Sequence, residues 1–179
     1  SANSYLRSLA FYATSSSGQV MNGFTIKVAN TTTTIFGSTS FLGGTFTTVF
    51  SGNVTVTANT WNTYNFTSAF NYSGTGNLLV EICWNNSSYT TNSAVRYTST
   101  PAYRALYYRA DVASGGVCAN STGTLSYARP NMKLVFKNSA TGKLEGEEEQ
   151  SEMAMVATTS QNLNVFPNPA SDQVNIEFE

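Results

Sequence analysis

Apolar and polar residues alternate with a period of two along most of this chain. "SYLRSLAFYA" (4–13) and "GFTIKVAN" (23–30) follow that period, and so does "GNVTVTANTWNTYNFTSAFNY" (52–72), where Val54, Val56, Trp61, Phe66, Phe70 and Tyr72 recur among Thr and Asn. Such alternation predicts strands with one face buried. No segment carries a helical stripe. In "NMKLVFK" (131–137), Met132, Leu134 and Phe136 fall on one face and Lys133, Val135 and Lys137 on the other.

"NLLVEICWN" (77–85) departs from the rule. Leu78, Leu79, Val80, Ile82 and Trp84 form a nearly continuous apolar run, the pattern of a central strand covered on both faces. "RALYYRAD" (104–111) completes the strand set, and clusters of Gly, Ser and Asn at 15–23, 37–44, 73–77, 85–93 and 114–123 supply turns. Many short strands with this punctuation predict an all-β, two-sheet antiparallel β-sandwich of jelly-roll character over residues 1–137.

The pattern then stops. Residues 138–162, "NSATGKLEGEEEQSEMAMVATTSQN", hold an acidic run and small polar residues with no period. This reads as a flexible linker extended by its own charge, with a short helix at 147–157 as the alternative. Residues 163–179 return to a strand pattern after two prolines.

Charge sharpens the division. Residues 1–137 carry Arg7, Lys27, Arg96, Arg104, Arg109, Arg129, Lys133 and Lys137 against Glu81 and Asp111, whereas from Lys143 onward one lysine faces eight acidic residues. The cations of the body are dispersed through strands with no Lys/Arg run, which argues against nucleic acid as a partner. No stretch reaches the roughly 20 apolar residues of a membrane span. The chain opens at Ser1 rather than Met, as expected of a processed product or a fragment.

The two cysteines, Cys83 and Cys118, predict one disulfide and with it an oxidising compartment, the alternative being two buried thiols. With no histidine in the chain, a Ser-His-Asp or Cys-His arrangement is excluded, and too few sulfur ligands remain for zinc. Glu81 and Asp111 are the one carboxylate pair of the body, thin support for glycoside hydrolysis. Glu81 is expected to pair instead with an arginine such as Arg96 or Arg104. No enzyme activity and no cofactor are expected. Asn-X-Ser/Thr triplets recur, but in so Asn/Thr-rich a surface they say nothing about function.

Binding suits the composition better. The chain has 10 Tyr and 2 Trp, and exposed aromatics beside Asn and Arg are what sugar rings stack against. Trp61 and Trp84 fall at apolar strand positions and are expected in the core. Tyr107 and Tyr108, being consecutive, should point to opposite faces, leaving one near the surface between Arg104 and Arg109. These four residues are the candidate ligand-binding set.

The segment "LNVFPNPASDQVNIEFE" (163–179) resembles the start of the C-terminal sorting domain of proteins exported by the type IX secretion system of Bacteroidetes. Val165, Phe166, Pro167, Asn168, Pro169, Ala170, Ser171 and Asp172 match that family's opening motif in order, and Val174, Ile176 and Phe178 follow as a strand. The match covers about a tenth of the chain, and the later strands of the family's domain are missing from it. The body is similar, more loosely, to the β-sandwich modules that precede such domains in surface proteins and adhesins, on "YLRSLAFYA", the 61–88 block, "YRALYYRAD" and "ARPNMKLVF". The resemblance implies a secreted or surface-displayed protein. Its partners would be the type IX outer-membrane translocon and its shuttle protein, which would read Phe166 to Asp172. Two prolines stiffen that segment in advance, so binding it costs less entropy.

The expected activity is adhesion or surface-glycan binding. The alternative is a structural or accessory module of a larger extracellular enzyme or filament.

Overall fold

The computed structural model describes residues 4–110, 117–138, 164–165 and 176–177. The chain divides into two compact units, Ser1–Thr141 and Gly142–Glu179. The first unit is built from β1 (Ser4–Ser15), β2 (Met21–Thr31), β3 (Thr47–Val54), β4 (Thr60–Tyr72), β5 (Asn77–Cys83), β6 (Ala94–Val95), β7 (Tyr97–Ser99), β8 (Ala105–Tyr107), β9 (Thr124–Ser126), β10 (Ala128–Pro130) and β11 (Met132–Lys137), with one 3₁₀ turn at Val117–Ala119. In the second, β12 (Asn164–Val165) pairs antiparallel with β13 (Ile176–Glu177). The acidic run and Phe166 to Asp172 lie outside the described residues.

Two antiparallel sheets make a sandwich. In one the order is β11-β1-β4, with β6 pairing the end of β1, and in the other it is β3-β2-β5. Their inner faces meet through Leu6, Leu9, Phe11, Phe24, Ile26, Val28, Val49, Tyr64, Phe66 and Phe70. Leu6 and Leu9 are three apart yet both fully buried, which strict alternation forbids. A β-bulge resolves this. Leu6 pairs with Phe136 and Ser8 with Val135, leaving Arg7 as the extra residue, and the inward set resumes at Leu9, Phe11 and Ala13.

The two flanks of the sandwich differ. Where β3 and β4 meet, the hydroxyl of Thr67 donates to the Val49 carbonyl at 3.2 Å, and Val49 and Phe66 are fully or almost fully buried. At the opposite flank, every residue of β5 is half-buried, as are Met132, Leu134 and Phe136 of β11. β5 is therefore an edge strand, hydrogen-bonded to β2 alone, and not the central strand its apolar run predicts. Leu79 and its neighbours instead meet flanking loop residues such as Ile35 and Leu42, which line a cleft beside them. The flank is screened by the short strands β6 to β10. Among them β8 pairs with β9 and β7 with β10, and the 33–46 loop joins them through Phe36 N–H to Tyr103 O and Gly123 N–H to Thr39 O.

Several of the dispersed cations find individual partners on the sheet faces. Lys27 pairs with Glu81 at 2.8 Å across β2 and β5, replacing the predicted Arg96 or Arg104. Arg96 lies over the Tyr12 ring at 3.9 Å, and the Lys133 ammonium over Trp61 at 4.3 Å. Trp61 faces outward on β4, half-buried beneath that lysine, and is not in the core.

Candidate functional site

Two clefts open in the sandwich, one at the flank between β5 and β11 and one at its end. The larger, about 860 Å³, lies at the end of the sandwich where the loops 16–20 and 84–93 meet. Its floor comes from the inner faces of both sheets, including Phe11, Phe24, Tyr64 and Ile82, and its rim from Trp84, Tyr89, Tyr107, Tyr108 and Arg109. The rim aromatics are unusually open: Trp84 is 43% exposed, Tyr89 49%, and Tyr107 and Tyr108 46% each.

The local chain explains that exposure. β5 ends at Cys83, so Trp84 has already left the sheet. Its indole still stacks on Phe24 (6.1 Å between ring centres, 26° between planes), which in turn stacks on Tyr64 (5.1 Å, 21°). A column of three rings thus runs from rim to floor. β8 spans only Ala105–Tyr107, so the pleat does not govern Tyr108 and both tyrosines emerge, where one was expected.

Polar side chains hold this end in shape. The Asn86 amide donates to the Val20 carbonyl at 2.7 Å and its oxygen accepts from Asn22 N–H at 2.8 Å. Gln19 donates to the Ser88 carbonyl at 2.9 Å and accepts from Thr90 at 3.1 Å. The expected disulfide is present. Cys83 and Cys118 bridge Cα atoms 5.7 Å apart and close a 35-residue separation, tying the end of β5, beside Trp84, to the Val117–Ala119 turn. Rim and floor are thereby fixed before any ligand arrives.

Of the four residues proposed from sequence, the structure brings Tyr107, Tyr108 and Arg109 to this cleft. Arg104 stands apart. It lines the second cleft, about 620 Å³, and its guanidinium donates to the Thr34 carbonyl. That bond pins the 33–46 loop to the strand that carries Tyr107. Trp84 and Tyr89 were missed as rim residues, and Tyr64 as a floor residue.

The cleft is nearly free of charge. Arg109 is its one ionic side chain among the described residues, and Asp111, the second carboxylate considered for hydrolysis, lies outside them. Burial raises the Tyr64 phenol above its ordinary pKa, keeping it a neutral donor. Among the described residues no group of His, Cys, Asp or Glu could hold a metal, and no helix is long and apolar enough to cross a membrane. Open aromatic faces, amides, hydroxyls and one guanidinium can stack on a ring and bond its edge. Comparison with protein-family models, curated proteins and solved structures gives no match.

Proposed function

We propose that this chain is a secreted or cell-surface module that binds glycans through the cleft at the 84–93 end of the sandwich. The observation that carries the reading is the convergence of Trp84, Tyr89, Tyr107 and Tyr108, all partly exposed, on one preorganised and almost uncharged cleft. Aromatic faces pack against the C–H faces of sugar rings, while neutral hydroxyls serve the ring edges. A disulfide suits an extracellular protein.

Binding to a glycan array tests it, with Trp84→Ala, Tyr107→Ala and Tyr108→Ala as controls. Signals lost in the variants support the reading, and no ligand on any surface polysaccharide refutes it. Export through a type IX translocon and its shuttle protein belongs to the same proposal, supported by the motif Phe166 to Asp172 in the sequence. Replacing Pro167 and Pro169 with Ala in the secreting cell should lower the amount of protein outside, and unchanged export would remove that role from the motif.

A further inference from the structure

The cleft at the end of the sandwich carries one cation whose side chain the fold does not use. Several charged side chains of the sandwich are engaged: Lys27 with Glu81, Arg96 over Tyr12, Lys133 over Trp61 and Arg104 with the Thr34 carbonyl. Arg109 is exposed, and its guanidinium has no hydrogen bond, ion pair or ring contact among the described residues. The side chains of Arg129 and Lys137 share that condition, but neither lines this cleft. Nor does Glu81, the one carboxylate among the described residues of the sandwich. A ligand entering the cleft therefore meets an unpartnered guanidinium.

The surroundings say what kind of ligand gains most from it. Tyr107, Tyr108 and Arg109 are consecutive and line the same cleft, so aromatic faces and a cation are offered to one stretch of a glycan. A neutral sugar gives the guanidinium only ordinary hydrogen bonds, whereas a carboxylate accepts two parallel, charge-assisted ones from its planar fork. A uronic acid carries that carboxylate on the edge of its ring, which leaves the C–H face free to lie on a tyrosine. Thr91 and Asn92 line the cleft as well and offer neutral groups to the remaining hydroxyls. The excess of Lys and Arg over Asp and Glu in residues 1–137 adds a long-range attraction for a polymer of such sugars.

We infer that the cleft selects an acidic glycan, with a uronic acid carboxylate held by the Arg109 guanidinium while sugar rings stack on the rim tyrosines. The inference rests on the cleft being the glycan site.

Short oligomers of galacturonate, mannuronate and glucuronate, each paired with its own methyl ester, differ within a pair chiefly in charge. Titrated by NMR into the whole chain at low ionic strength, the acid of at least one pair should bind about tenfold tighter than its ester, and added salt should shrink that gap. Arg109→Gln should bring the acid down to the level of the ester, and Arg109→Lys, which keeps the charge without the fork, should restore only part of the difference. Lys137→Gln removes a cation outside the cleft and should leave the preference in place. Arg109 is exposed, so unchanged denaturation curves are expected for its variants. Equal affinities within every pair, a preference that survives Arg109→Gln, or one that Lys137→Gln lowers as much, overturn the inference. Sulfated galactan oligomers that bind tighter than every uronate overturn the carboxylate assignment. Trp84-dependent binding of neutral glycans alone overturns the inference and leaves the glycan reading standing; no glycan binding of any kind overturns both.

Discussion

The β3/β4 flank and the β5/β11 flank are built from similar alternating strands and end differently. On the first, edge strands of the two sheets lie against each other, and Val49 and Phe66 lose essentially all contact with water. On the second, the inward residues Val80, Ile82 and Met132 stay half-buried and a cleft opens over them, while a second cleft at the end of the sandwich takes in Ile82. A sandwich closed on both flanks would be the more stable one. Leaving one flank to short strands and loops gives up burial there and gains a concave surface with aromatic walls.

Truncation across the two flanks should make this contrast measurable. Phe66→Ala should cost about 3–5 kcal/mol, whereas Ile82→Ala, truncating a half-buried side chain beside a cleft, should cost about 1–2 kcal/mol. Urea denaturation checks both. Equal losses would mean that the open flank is as tightly packed as the closed one.

Next in size is the disulfide. Removing it with Cys83→Ser and Cys118→Ser together should lower stability by roughly 3–4 kcal/mol in the loop-entropy model. Because the bridge anchors the chain beside Trp84, ligand affinity should fall as well, while hydrogen exchange of β3 amides at native pH should keep its rank order. Loss of protection at β3 before β5 would reverse the assignment of the two flanks.

Much of the architecture is legible in the sequence, and the failures cluster on the open flank. Period-two alternation locates β2, β4 and β11 because each has one drier and one wetter face, and it locates β1 although Leu6 to Phe11 are all buried there. The run at 77–85 misleads because loop residues cover part of an edge strand, producing the same apolar continuity as a second sheet would. The bulge at Arg7 leaves no mark in composition, since Leu6 and Leu9 look like one slip in an otherwise regular pattern. Trp84 looks like core because it follows an apolar strand, yet the strand ends one residue earlier. Tyr64 is hidden among Asn and Thr on a strand whose outward Trp61 has the opposite parity. Its role depends on β1, β2 and β5 arriving around it, and no local pattern encodes that.

The smallest effect concerns pH. Burial raises the Tyr64 pKa in the folded state, so the folded protein holds that proton more tightly than the unfolded one. The stabilisation is fully present below the unfolded tyrosine value of about 10 and is lost as pH rises through the raised folded value. Melting temperature should therefore fall in that alkaline range more steeply for the native chain than for Tyr64→Phe. Coincident profiles would mean that burial does not hold this phenol's proton in the folded state.

The proposed glycan site, the cleft at the end of the sandwich, has Trp84 at its mouth. Glycan-array binding of the native chain beside Trp84→Ala tests it most directly. A restricted set of bound glycans is expected, lost or cut at least tenfold by the substitution, while the melting temperature falls by only about a few degrees as the stack on Phe24 is lost. Binding that is absent, or present and indifferent to Trp84, would contradict it.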